Sequence, residues 1–129
     1  MRLRNLVLAA VFLATLVSPA LAVLTGPVVV DCDYFTQENL TVGATAVGLT
    51  AGTYNPGGGL AAANCAIIIV EADSVRWLTT GTTATTGNAN LAVINDVIVL
   101  KNARAIARFS AIRVTTDATL KVNYGRKTN

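Results

Sequence analysis

The feature that most constrains this chain is a succession of short strand-like runs broken by turn residues, with no convincing amphipathic helix among them. "ATLKVNYG", starting at Ala118, is the clearest run: Leu120, Val122 and Tyr124 alternate with Lys121 and Asn123. A pleated strand sends successive side chains to opposite faces, so this one has an apolar and a polar face. "FSAIRVT", starting at Phe109, alternates in the same way, and the turn Thr115-Thr116-Asp117 between the two predicts a terminal hairpin. "CAIIIVEA", from Cys65 to Ala72, is nearly continuously apolar, as expected of a central strand covered on both faces. The tight turn Ala72-Asp73-Ser74 leads from it into "VRWL".

Other runs complete the pattern. "VVV" at 28–30 opens a strand that ends at Asp31-Cys32-Asp33, and "NLTVGATAVGL", Asn39 to Leu49, alternates with Gly43 and Gly48 as bends. "AGTYNPGGGLAAAN" is turn chemistry. Asp96 to Asn102 is another strand, Ala103 to Phe109 is one helical turn or an irregular crossover, and "GRKTN" closes the chain as a polar tail. Seven or eight short strands define an all-β class, an antiparallel β-sandwich or jelly-roll-like barrel. One domain, 23–129, follows an N-terminal hydrophobic segment, 1–22. Composition agrees: 53% of residues are hydrophobic but only 5% aromatic, and 13% are charged, against ~25% in an average soluble domain.

Residues 1–22, "MRLRNLVLAAVFLATLVSPALA", have a basic start, an apolar run and the small-residue triplet Ala20-Leu21-Ala22, the plan of a secretory signal. The alternatives are a retained hydrophobic arm or a start codon placed too early. Once this segment is removed, no stable membrane association is expected. From Val23 onward eight basic residues stand against seven acidic ones, which is not a nucleic-acid-binding balance. Cys32 and Cys65 enclose 32 residues. In an exported chain they are a possible disulfide, contributing on the order of 3 kcal/mol by loop closure. In a cytoplasmic chain Cys65 is a small buried hydrophobe.

The chemistry-bearing residues are few. With no histidine in the chain, Ser-His and Cys-His pairs and most zinc sites are excluded. Asp31, Asp33 and Glu38 are carboxylates for a calcium ion at most, and read better as turn formers and solubilising groups. The expectation is no catalytic residue, no cofactor, no metal and no enzyme activity. Trp77 is the only tryptophan; it and Arg76 point to opposite faces of a strand, and Trp77 reads as a core anchor. The stretch "TTGTTATTGNANL" reads as a long ordered connection bent at Gly81 and Gly87. Its tip, Thr82, Thr83, Ala84, Thr85 and Thr86, is a possible interaction loop.

Arg76-Trp77, Gly81, Ala84-Thr85, Gly87, Ile98 to Leu100, Ile112-Arg113 and Ala118 to Tyr124 together carry a resemblance. From about Leu40 to Tyr124 the chain resembles small tailed-phage virion structural proteins of the capsid decoration or minor head type. The resemblance implies a packing unit, not an active site. Its partners would be the major capsid protein or other virion proteins, with a homo-oligomeric chain located in the virion. The signal-like start departs from that pattern. It supports the alternative of a secreted or periplasmic β-sandwich adhesion or surface module with Cys32 and Cys65 oxidised.

Overall fold

The computed structural model describes residues 31–127. Expectations that fall on the signal-like segment and on Val28–Val30 lie outside the described residues. Among the described residues seven strands form two antiparallel sheets, an all-β sandwich as the alternation predicts. The first sheet contains β1 (Asp33–Val42), β2 (Cys65–Ala72), β5 (Val97–Leu100) and β7 (Ala118–Arg126), in the order β1-β7-β2-β5. The second contains β3 (Val75–Leu78), β4 (Asn90–Ala92) and β6 (Ser110–Arg113), in the order β4-β3-β6. Two short helices, α1 (Ala51–Tyr54) and α2 (Ala103–Ala107), sit in the connections.

Alternation decides which side chains meet. Leu120, Val122 and Tyr124 of β7 lie beside Ile68 and Val70 of β2 and Val42 of β1, all fully buried. Val75 and Ala111 from the second sheet face them within one cluster, closed by Ile106 of α2 and Phe109. Fully burying side chains of this size contributes roughly 1.5–3 kcal/mol each. The chain crosses between sheets through tight turns. Asp73, between β2 and β3, has φ 55°, and its carboxylate takes bonds from the Ser74 N–H (2.6 Å) and the Thr116 hydroxyl. Asn95, before β5, has φ 73°. Its N–H donates to the Val70 carbonyl and the Asp96 N–H to that of Val93, so an asparagine fills the position where such a turn requires positive φ.

Several expectations are corrected. The terminal hairpin does not form: β6 pairs with β3 in the second sheet, while β7 enters the first sheet between β1 and β2. The reason is area. Over nine residues β7 gains a ladder on both sides and a buried row, more than a four-residue partner offers. β2 is central but not covered on both faces, because Ile67 and Ile69 remain half-exposed on the outer side. The strand expected over Asn39–Leu49 is split. β1 begins at Asp33, where a strand end was expected, and stops at Val42. The chain then bends at Gly43 and runs beside β6, with Arg113 N–H bonded to Gly43 O and a bridge between Val47 and Ala111. The strand expected from Asp96 to Asn102 is the shorter β5, and Ala103 to Phe109 yields the helical turn α2, capped by the Asn102 side chain. The tail is shorter than expected, since Gly125 and Arg126 belong to β7.

Gly125 has a specific reason to be glycine. Cys32 and Cys65 are joined in a disulfide that spans from β2 across β7 to the residue before β1. Gly125 is the β7 residue beneath the bridge. A Cβ there would collide with the Cys32 sulfur and lie 2.6 Å from the Asp33 carbonyl oxygen. Gly125→Ala is therefore expected to prevent bridge closure without backbone displacement. Thiol titration should find free cysteine, and stability should fall by up to about 3 kcal/mol in denaturant unfolding.

Tyr124 is fully buried, and its hydroxyl donates to Glu38, whose carboxylate also accepts the Thr50 N–H at 3.1 Å. Burial, followed by this bond and the Glu38 charge, pushes the Tyr124 hydroxyl well above its ordinary value of 10.0. The folded state keeps a proton that the unfolded chain releases near pH 10, so the contribution is complete below that pH and is lost as pH rises above it. Denaturant midpoints measured from about pH 9 to about pH 11.5 should fall less steeply in Tyr124→Phe than in wild type.

Candidate interaction surface

The stretch Thr79 to Ala89 connects β3 to β4, which pair directly with Trp77 opposite Asn90 and Val75 opposite Ala92. It folds back over the outer face of the second sheet as an ordered cap. Ala84 is the reason: it is 1% exposed and packs with Leu78 and Ala89 against Ile112. Strand alternation puts Leu78 and Ile112 on the face away from the main core, so this is a second, smaller core that the loop itself closes. The Ala84 N–H donates to the Ser110 hydroxyl at 3.0 Å, giving the buried backbone group a partner no ladder supplies.

Polar groups hold the rest. The Asn88 side chain accepts from the Thr85 N–H (2.8 Å) and donates to the Thr83 carbonyl (3.2 Å), while its own N–H donates to the Thr85 hydroxyl (3.2 Å). Thr80 and Thr82 share a hydroxyl–hydroxyl bond of 2.9 Å. Arg76 donates to the Ala89 carbonyl at 3.1 Å, and Arg108 reaches the Thr80 carbonyl at 3.4 Å. Gly81 supplies a bend with φ 93°. The structure thus divides the expected tip. Thr82, Thr83, Thr85 and Thr86 are exposed, but Ala84 is an anchor pointing inward and offers no contact surface.

Between this cap and α2 lies an open cleft of about 430 Å³, lined by Thr80 to Thr83 and by Ala107 to Ser110. Trp77 stacks on Phe109, with ring centroids 6.2 Å apart and planes 18° apart. Trp77 does pack against the core, as an anchor should, yet it is only half-buried. Arg76 is half-buried too, because its guanidinium stays on the protein to bond Ala89. Of the carboxylates considered for calcium, Asp31 immediately precedes the bridge cysteine Cys32, Asp33 opens β1, and Glu38 serves Tyr124 and Thr50. Among the described residues no three His, Cys, Asp or Glu side chains are grouped to hold a metal ion.

Sequence reasoning missed a second surface. Val93, Ile94 and Val97 are each exposed although large and apolar, and they follow one another along the chain from the turn after β4 into the edge strand β5. The signal was present in "NLAVINDVIVL", where apolar residues crowd a turn. Periodicity alone reads such a run as strand interior.

No protein-family model matches the chain, and no match is found among curated proteins or solved structures. The order of the threonine cap is testable by itself. Asn88→Ala should cost about 1–2 kcal/mol and accelerate amide exchange at Ala84 and Thr85, with the amides of β7 unchanged.

Proposed function

We propose that this chain is a non-enzymatic virion structural protein of a tailed bacteriophage. It acts as a capsid decoration or minor head component through contacts with the major capsid protein or another virion protein. The observation that carries this reading is the threonine cap, an uncharged surface of exposed hydroxyls fixed in place by Ala84, Asn88 and Ser110. A surface ordered before docking loses little conformational entropy on binding, which suits a contact repeated in many identical copies. The strand pattern from Leu40 to Tyr124 and its resemblance to small virion proteins support the same reading.

One observation favours a second reading. The disulfide between Cys32 and Cys65 is of a kind that persists in oxidising compartments, and residues 1–22 are patterned as an export signal. A secreted or periplasmic adhesion or surface module would use the same sandwich.

Co-sedimentation with purified phage particles separates the two. On the virion reading the wild-type chain sediments in stoichiometric amount. Replacing the exposed Thr83 and Thr86 with glutamate should weaken that association at least tenfold, leaving the circular dichroism spectrum unchanged. Recovery of the native protein free in the periplasm, lacking residues 1–22 and with the mass deficit of a disulfide, would sink it in favour of the second.

A further inference from the structure

The edges of the two sheets are not alike. β1, at one edge of the first sheet, is ten residues long and carries exposed Asp33, Gln37 and Asn39. In the second sheet β4 has three residues, and β6 is flanked by the stretch from Gly43 to Val47. β5, the other edge of the first sheet, reads Val97-Ile98-Val99-Leu100, with neither the charge nor the proline that commonly blunts an open edge.

The phase of its hydrogen bonds can be assigned. Val70 N–H donates to Asp96 O at 3.1 Å, and the same register places Ile68 opposite Ile98 and Ala66 opposite Leu100. Bonded pairs alternate along an antiparallel ladder. Ile98 and Leu100 therefore turn their N–H and C=O groups toward β2, and Val97 and Val99 turn theirs to the open edge. The side chains of Val97 and Val99 lie on the outer face, in rows with Ile69 and Ile67 respectively. Val97 is 57% exposed, and Val93 and Ile94 of the preceding turn are 45% and 50% exposed.

We propose that this edge binds a second copy of the chain, β5 against β5, antiparallel about a twofold axis at Ile98. Val97 then lies opposite Val99 of the second copy, and the edge-directed N–H and C=O groups of both find partners. The geometry is self-complementary in three respects. The twofold preserves the pleat, so outer-face side chains meet outer-face side chains. The row Ile67–Val99 of one copy runs on into Val97–Ile69 of the other, giving a continuous aliphatic stripe across a joined sheet. Asp96 precedes the strand and Lys101 follows it, both exposed, so antiparallel pairing brings each lysine to the acidic end of its neighbour. The pairing does not depend on the virion reading, and either could fail alone.

Sedimentation velocity of the purified full chain, with amide exchange read residue by residue, tests it. Wild type should sediment at twice the chain mass, with the Val97 and Val99 amides protected. Val97→Lys changes an outward side chain only. Val99→Pro removes an N–H that the β2 ladder does not use, a place where an edge strand tolerates proline. Both variants should sediment as monomers with an unchanged circular dichroism spectrum, and Val97→Lys should expose the Val99 amide. If Val99→Pro does not fold, Val97→Lys decides by the same two readouts. A monomeric wild type, a dimer that survives Val97→Lys, or a dimer that requires residues 1–30 would each overturn the proposal.

Discussion

The structure depends on the last strand being accepted between the first two. β7 pairs with β1 over Asp33–Val42 and with β2 over Cys65–Ala72, so the first sheet cannot close until the end of the chain arrives. Its buried row, Ala118, Leu120, Val122 and Tyr124, is the surface on which Val42, Ile68 and Val70 assemble. Two devices fasten this late contact. Tyr124 reaches Glu38 on one neighbour, and the disulfide crosses above Gly125 to tie the other neighbour to the chain before β1. The tyrosine ties β7 to β1 directly, while the disulfide bridges over β7 from β2 to the residue before β1, so the strand is held on both sides. A fold built this way relies on contacts distant in sequence, which form slowly because the intervening loops must close first.

How much of this was legible follows from what alternation encodes. Period-two patterning says which residues share a face, and it placed Leu120, Val122 and Tyr124 on the buried side correctly. It located β2, β3 and β5 because each is a run of apolar or β-branched residues bounded by turns. It does not say which strand is a partner. Ser110–Arg113 and Ala118–Arg126 alternate alike and are joined by a short polar turn, so the sequence offers a hairpin. That hairpin is overridden by Arg113 bonding Gly43 and by Val114 N–H bonding the Ser74 carbonyl, contacts 70 and 40 residues away. Faces are local information; partners are not.

The threonine stretch shows the same limit at a smaller scale. Its glycines and hydroxyls predicted an ordered connection, and Thr85 with Asn88 uses them so. The inward turn of Ala84 was not legible, because an alanine among threonines carries no pattern of its own. It becomes an anchor only through Leu78 and Ile112, which lie on strands that must pair before the pocket exists. Gly125 was hidden for a similar reason. Its lack of a Cβ matters only once two cysteines 33 positions apart are brought over it.

The two outer faces of the sandwich then meet one problem in different ways. A strand buried on one side still carries side chains on the other, and a chain with 13% charged residues has few groups to solvate them. On the second sheet the molecule covers Leu78 and Ile112 with its own loop, leaving hydroxyls outermost. On the first sheet the half nearest β1 is polar, through Gln37, Asn39, Lys121 and Asn123. The half nearest β5 presents Ile67, Ile69, Val97 and Val99, with no loop to cover them among the described residues. Apolar residues at an unpaired edge lower solubility, so a monomer stands to lose by keeping them exposed. The loop that caps one sheet and the bare edge of the other therefore set the two faces apart, one finished within the chain and one that, on our proposal, a second copy completes.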